Sequence, residues 1–133
     1  MCGFAGFTTN GFQGDRLAVI KAMSDQIIHR GPDQDDYYVD EGIAMGFRRL
    51  SIIDLEGGSQ PILNEDGTKV LTFNGEIYNF RELRKELIEK GHVFKTSTDS
   101  EVLLHGYEEY GAELLQKLRG MFAFVIWDKT EQK

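Results

Sequence analysis

Cys2 is the residue of this sequence whose side chain and position together permit nucleophilic chemistry. A thiolate is a strong nucleophile, but the thiol must first lose its proton to a base. Removal of Met1 would leave Cys2 with a free α-amine, whose reference pKa is about 7.7–8.0. One residue would then supply both the nucleophile and a base matched to neutral pH. Position alone also fits a commoner alternative, a small buried cysteine in an edge strand.

The segment Phe73-Asn74-Gly75-Glu76 contains groups that could stabilise a negatively charged oxygen. We expect a strand to end at Phe73 and the chain to turn sharply, with glycine allowing the backbone to approach a ligand. The Asn74 side-chain amide and the Gly75 backbone N–H would then form an oxyanion hole. The alternative is an ordinary Asn-Gly turn between two strands.

Two charged segments are candidates for binding a ligand with both an anionic and a cationic group. Arg48 and Arg49 lie among apolar residues, so we expect one of them to face inward and to pair with a carboxylate of the protein or of a ligand. Asp99 is predicted at the N-terminus of a helix, where the helix dipole favours negative charge. It either caps that helix, which the local sequence favours, or binds a cationic ligand group.

The sequence predicts neither a metal nor another cofactor in this chain. His29, His92 and His105 lack the spacing of a metal-ligand motif, and one cysteine can form neither an internal disulfide nor a multi-cysteine zinc site. The glycine-rich motifs that bind nucleotides are also missing from the sequence.

The 133 residues include 22 acidic and 15 basic side chains, for a formal net charge of −7. An acidic chain repels phosphate backbones and anionic lipids, so we expect no nucleic-acid or membrane partner. The N-terminal residues lack the basic and apolar regions of a signal peptide. A lone cysteine is consistent with the reducing cytoplasm, which we take as the expected location.

Hydrophobic periodicity and turn residues predict an α+β or a layered α/β domain with antiparallel pairing. A turn is expected at Asp40-Glu41-Gly42, and Asn79 is expected to cap a helix together with Glu82. Predicted strands cover residues 2–8, 37–39, 43–50, 69–73 and 121–127, and predicted helices cover about 15–28, 79–90, 98–110 and 112–118.

Seven segments along the chain occur in the order seen in one protein family. They are Met1-Cys2-Gly3-Phe4-Ala5-Gly6, His29-Arg30-Gly31-Pro32-Asp33, Arg49-Leu50-Ser51-Ile52-Ile53-Asp54, Gln60-Pro61, Phe73-Asn74-Gly75-Glu76-Ile77-Tyr78-Asn79, Asp99-Ser100-Glu101-Val102 and Gly120-Met121-Phe122-Ala123-Phe124. The sequence thus resembles the N-terminal glutaminase domain of glutamine-hydrolysing asparagine synthetases. The resemblance implies a class II glutamine amidotransferase with the N-terminal-nucleophile hydrolase fold, an αββα sandwich.

The resemblance also implies a role for each candidate residue. Cys2 would attack the side-chain amide of glutamine and form a thioester, which water hydrolyses to glutamate after ammonia leaves. Asn74 and Gly75 would hold the oxyanion. The resemblance assigns the α-carboxylate of glutamine to Arg49 and its α-ammonium group to Glu76 and Asp99. ATP and Mg²⁺ are expected only in the synthetase domain of such enzymes.

We expect residues 1–133 to be the N-terminal part of the amidotransferase domain, without its later strands and without the synthetase domain. The apolar run from Met121 to Trp127 predicts a strand buried on both faces. It would be followed by a turn over residues 128–133, and its open edge would invite self-association. Two alternatives remain: a catalytically silent module with a binding role or none, and a peptidase with an N-terminal nucleophile.

Overall fold

A computed structural model describes residues 2–50 and 59–133 of the chain. Met1 and residues 51–58 lie outside the described residues, and so does the Ser51-to-Asp54 part of one family motif. The strands are β1 (Gly3–Thr8), β2 (Gln34–Val39), β3 (Ile43–Arg49), β4 (Ile62–Leu63), β5 (Lys69–Ile77) and β6 (Gly120–Asp128). The helices are α1 (Arg16–Asp25), α2 (Phe80–Glu89), α3 (Glu101–Tyr110) and α4 (Leu114–Lys117).

The described structure divides into two compact units. The first unit contains Met1–Asn74 together with Val125–Lys133, and the second contains Gly75–Phe124. The chain passes from one unit to the other inside β5 and returns inside β6.

The first sheet of the first unit has the strand order β1-β3-β2, and both of its strand pairs are antiparallel. The register aligns Gly3 with Arg48 and Thr8 with Ile43. The predicted strands are confirmed, although β2 begins at Gln34, three residues before the predicted start. The predicted turn is confirmed too, because Asp40 Oδ1 accepts from the N–H groups of Gly42 and Ile43 at 2.7 and 2.9 Å.

Helix α1 packs on this sheet through a pair of small residues. Ser24 is fully buried, and a Cβ on Gly46 of β3 would overlap its hydroxyl oxygen. The helix therefore approaches β3 closely only because position 46 is a glycine. The helix ends at Asp25, three residues before the predicted end, and Leu17 near its start is 42% exposed.

The hydrophobic core of the first unit contains residues from strands of both sheets, packed with Trp127. Its buried members are Ile43, Met45, Val70 and Trp127. Asp40 accepts hydrogen bonds from the Tyr38 hydroxyl at 2.8 Å and from the Trp127 indole N–H at 3.0 Å. Partial burial raises the pKa of Asp40, but these bonds and those from the turn outweigh burial and hold the pKa below its ordinary value.

The second sheet has the order β4-β5-β6. The short strand β4, which the sequence did not predict, pairs Ile62 with Leu71 and Leu63 with Val70. The prediction that a strand ends at Phe73 is wrong, because β5 continues to Ile77. Asn74 and Gly75 therefore lie within a strand and not in a turn.

Strand β6 lies at the edge of this sheet among the described residues. The prediction that both of its faces are buried is wrong, because Met121 and Val125 are 62% and 36% exposed. The exposed positions alternate with half-buried ones, as in an antiparallel sheet that is covered on one face. The predicted turn after the strand is confirmed, since Asp128 and Lys133 exchange two backbone hydrogen bonds.

Helices α2, α3 and α4 belong to the second unit. Glu86 of α2 ties them together by accepting from the Tyr110 hydroxyl and from Lys117 Nζ. The N-cap position of α2 is Asn79, as predicted. Its predicted capping box is wrong, because the Asn79 side chain instead bonds Lys117 O at 2.8 Å and the Arg119 N–H at 2.9 Å.

Among the described residues, no helix has the length and apolar character needed to cross a membrane.

Candidate active site

Cys2 lies directly before β1 and is half-buried. The Leu50 N–H donates to its sulfur at 3.4 Å, and Arg30 Nε donates to the Cys2 carbonyl oxygen at 3.2 Å. Cys2 is therefore held by two separate contacts, one to its side chain and one to its carbonyl group. The thiol is not sealed in the core, so the alternative of a fully buried structural cysteine does not describe it.

Arg48 and Arg49 differ in their surroundings. Arg48 is buried, forms an ion pair with Asp25, and lies 3.9 Å from an Asp35 carboxylate oxygen. The expectation that one arginine faces inward is therefore confirmed for Arg48, and its carboxylate partners come from the protein. Arg49, the predicted ligand-binding arginine, is half-buried at the end of β3.

Gly31 explains how the motif from His29 to Asp33 supports this end of the sheet. A Cβ on Gly31 would overlap the backbone of Arg48 and Arg49, and the Asp33 N–H donates to Arg49 O at 3.1 Å. Because Gly3 is aligned with Arg48, Cys2 and Arg49 lie at the same end of the β1–β3 pair. The structure thus brings together two of the predicted site residues of the first unit.

The Gln60 side chain holds the backbone of Phe73, the residue before Asn74. Gln60 Nε2 donates to Phe73 O at 2.9 Å, and the Phe73 N–H donates to Gln60 Oε1 at 2.6 Å. The Gln60 side chain thus forms the two hydrogen bonds that a neighbouring strand would form. This fixes the backbone just before Asn74. Gln60 belongs to a family motif, but its type alone did not predict this supporting role.

Gly75 has a structural reason to be glycine. Its φ is +145°, and a Cβ at this position would overlap Met121 O and the Phe122 backbone of β6. The close approach expected of this glycine is therefore an approach to another strand. The same conformation orients the Gly75 N–H that is the predicted second donor to an oxyanion.

Glu76 and Asp99 form the acidic part of the candidate site in the second unit. Asp99 Oδ2 accepts from the Ile77 N–H of β5 at 2.8 Å. Partial burial raises the pKa of Asp99, and the negative charge of Glu76 raises it further. The N-cap position of α3 is Ser100, so the expectation that Asp99 is that cap is wrong by one residue.

The negative charge of Glu76 repels that of Asp99 and disfavours the charged form of Asp99, so this pair favours a cation. An ammonium group bound between them would remove that repulsion. The predicted residues are thus distributed over both units: Cys2, Arg49 and Asn74 in the first, and Gly75, Glu76 and Asp99 in the second.

The family profile described as "Glutamine amidotransferase domain" matches residues 1–133. Among curated proteins, asparagine synthetase [glutamine-hydrolyzing] 1 of Bacillus subtilis is 52% identical over 98% of this chain and 21% of its own length. Asparagine synthetase [glutamine-hydrolyzing] 2 of the same organism is 46% identical over 100% of this chain and 18% of its own length. The chain therefore spans about a fifth of the relatives that it matches.

A solved structure of glutamine phosphoribosylpyrophosphate amidotransferase from B. subtilis, complexed with ADP and GMP, resembles 68% of this chain and 22% of its own chain. The sequence identity is 27% and the TM-score is 0.55. With the antiparallel sheets and the helices described above, this likeness confirms the predicted α+β, N-terminal-nucleophile hydrolase fold class. The chain belongs to the glutamine amidotransferase domain family.

Proposed function

We propose that this chain hydrolyses glutamine to glutamate and ammonia, with Cys2 as the nucleophile. The family match over residues 1–133 is the observation that carries the proposal. The half-buried Cys2 thiol, at the same end of the sheet as Arg49, supports it.

The proposed reaction begins at the Cys2 sulfur. Once Met1 is removed, the α-amine of Cys2 takes the thiol proton, and the thiolate attacks the side-chain amide carbon of glutamine. The Asn74 side-chain amide and the Gly75 N–H donate to the oxyanion that forms. The protonated amine then gives its proton to the departing nitrogen, which leaves as ammonia. Water attacks the remaining thioester and releases glutamate and the thiol.

Recognition of glutamine is proposed to depend on its two α-groups. Arg49 pairs with the α-carboxylate, because a guanidinium binds a carboxylate through two parallel hydrogen bonds. Glu76 and Asp99 accept from the α-ammonium group, whose positive charge offsets the repulsion between them. A peptide lacks these free α-groups, which argues against the peptidase alternative.

We propose that the larger protein is a glutamine-hydrolysing asparagine synthetase, in which the ammonia is used for asparagine biosynthesis. The 52% and 46% identities to proteins of that name support this assignment. ATP and Mg²⁺ would be bound by the synthetase domain, and residues 1–133 would be the N-terminal part of the amidotransferase domain. A cytoplasmic location would keep the Cys2 thiol reduced. Self-association through the edge of β6 is proposed as well.

Release of glutamate and of ammonia from glutamine tests the proposal. A sample shown by intact mass to begin at Cys2 should release both products in equal amounts, and Cys2→Ser should release neither above background. A sample that retains Met1 should be inactive, because an amide nitrogen cannot act as the base. Glutamine binding without turnover in the sample that begins at Cys2 would support the silent-module alternative.

Arg49→Ala tests the recognition of the α-carboxylate. We expect glutamine binding to weaken by about 1.5–3 kcal/mol, the range for a hydrogen bond to a charged group. Arg16→Ala is the matched control, because Arg16 lies in the same unit and bonds Asp40 O at 3.4 Å at the opposite end of β3. Calorimetry showing equal binding by the parent and Arg49→Ala would refute this assignment.

A further inference from the structure

Two histidines that are distant in the sequence meet in the second unit. His92 lies between α2 and α3, and His105 lies on α3. Their Nδ1 atoms are 3.3 Å apart. The Glu108 Oε2 atom lies 3.6 Å from Nδ1 of His92 and 3.4 Å from Nδ1 of His105. Three potential metal ligands thus face one another, and they play no part in the proposed glutaminase chemistry.

A carboxylate occupies the far side of the His105 ring. Nε2 of His105 lies 3.3 Å from Glu101 Oε1. Glu101 also accepts from the Lys95 and Thr96 N–H groups, both at 2.7 Å. An ionised carboxylate only accepts, so the proton of a neutral His105 ring lies on Nε2.

His92 has the same arrangement. Its Nε2 lies 3.0 Å from Glu109 Oε2, a carboxylate oxygen that can accept from the ring N–H. A neutral His92 ring therefore also carries its proton on Nε2. Both Nδ1 lone pairs then point toward the same small space, where neither can donate to the other. Such a pair of acceptors requires a shared proton or a cation.

The spacing of the three atoms matches a metal polyhedron. In a tetrahedral zinc site the metal–ligand bonds are about 2.0–2.2 Å, which places neighbouring ligand atoms roughly 3.3–3.6 Å apart by trigonometry. The observed separations are 3.3, 3.4 and 3.6 Å. Carboxylates bonded to the outer N–H of each imidazole are the usual second layer of a histidine–zinc site. Glu101 and Glu109 supply that layer here.

We propose that His92, His105 and Glu108 bind a divalent transition-metal ion of the zinc class, with water as the fourth ligand. Imidazole nitrogens favour Zn²⁺, Co²⁺ or Ni²⁺ over Mg²⁺ and Ca²⁺, which prefer all-oxygen sites. His105 is buried, whereas the Glu108 side chain is 26% exposed, so an ion can enter from the Glu108 side. The bound ion would link His92, in the segment before α3, to His105 and Glu108 on α3.

Competition with a chromophoric zinc chelator tests the site in the whole chain. The background variant is Cys2→Ala, because a free thiol also binds zinc. We expect one Zn²⁺ per chain, with affinity reduced more than tenfold by Glu108→Gln, whose side chain keeps its size and stays partly exposed. Glu109→Gln should weaken binding about 10–100-fold, the usual range for an outer partner. His29→Gln is the matched control, since His29 is exposed in the other unit, and it should bind like the background variant.

Cobalt substitution distinguishes a preformed metal site from nonspecific binding at the surface. Co²⁺ bound by two imidazoles, a carboxylate and water should give the intense visible absorption of a four-coordinate ion, and Glu108→Gln should abolish it. Zn²⁺ should also raise the thermal unfolding temperature of the background variant but not that of Glu108→Gln, while Mg²⁺ should change neither. Loss of the cobalt spectrum with unchanged unfolding of the ion-free variant excludes misfolding as its cause. Zinc affinity that is the same with and without the Glu108 carboxylate would overturn the proposal and leave a proton shared by the two rings.

Discussion

Asp99 and Glu101 are two carboxylates only two residues apart at the start of α3, and their surroundings affect them in opposite ways. Both lose solvent, and both accept backbone hydrogen bonds. Glu101 has His105 beside it and a pKa below the ordinary value, whereas Asp99 has Glu76 beside it and a pKa above the ordinary value. Burial raises the pKa of both carboxyls. The hydrogen bonds from Thr96, Lys95 and His105 outweigh burial at Glu101, whereas at Asp99 burial prevails and the charge of Glu76 adds to it.

This difference separates a structural carboxylate from a candidate ligand-binding one. Donors within the protein satisfy Glu101, so its charge contributes to the folded state. The folded state disfavours the charge of Asp99, and a cationic ligand would relieve that penalty. Functional sites often retain such unfavourable local electrostatics. Both groups lie in the second unit, so the comparison depends on no other part of the molecule.

The largest effect is expected for glutamine binding by Asp99→Asn. Loss of the charge should weaken binding by about 1.5–3 kcal/mol, as for other hydrogen bonds to charged groups. Calorimetry in a Cys2→Ala background, which prevents turnover, measures this directly. Glu89→Gln is a suitable control, because Glu89 is an exposed carboxylate of the same unit. If Asp99→Asn binds glutamine as tightly as its parent, the distinction between the two carboxylates fails.

Glu101→Gln is expected to lower the free energy of unfolding by about 1–3 kcal/mol. The amide leaves at least one of the partly or fully buried donors from Lys95, Thr96 and His105 without an acceptor. Chemical denaturation at neutral pH measures the change. Because the folded pKa of Glu101 is lowered, its contribution is complete above the unfolded pKa and disappears as pH falls through the folded pKa. The parent and Glu101→Gln should therefore converge in stability at acid pH, and a constant difference would contradict this explanation.

The smallest effect is an increase in stability for Asp99→Asn at neutral pH. The raised folded pKa means that the folded state disfavours ionised Asp99, so the penalty is absent below the unfolded pKa and complete above the folded pKa. An asparagine oxygen can still accept from the Ile77 N–H. Thermal unfolding should therefore show a higher midpoint for this variant at pH 7 and little difference at low pH. A lower midpoint at pH 7 would show that Asp99 stabilises the fold as Glu101 does.

The sequence predicted most elements where local signals were strong. The turn at Asp40-Glu41-Gly42 was predictable because an aspartate can accept from the N–H groups two and three residues further on. Helix α3 ends at Tyr110, the predicted end, where Gly111 follows with a φ of +56°. The strand through Gly75 was missed because an Asn-Gly pair ordinarily signals a turn. Only the position of the β6 backbone reveals why glycine is needed there.

The candidate site was predictable as a set of residue types but not as an arrangement. Family motifs name all six candidate residues, whose roles stay predictions, while the supporting contacts of Gln60 and Gly31 depend on strands distant in the sequence. His92 and His105 were missed as a pair because thirteen positions separate them. The loop before α3 brings their rings together, and no local sequence pattern predicts this contact.

The central claim is that Cys2 reacts with glutamine recognised through its α-groups, and covalent labelling tests it most directly. A chloromethyl ketone analogue of glutamine carries an electrophilic carbon in place of the side-chain amide, and the Cys2 thiolate would displace its chloride. In a sample that begins at Cys2, we expect peptide mapping to find one label on Cys2, slowed by added glutamine and strongly slowed in Arg49→Ala and Asp99→Asn. Labelling that ignores glutamine and both substitutions would contradict recognition at this site.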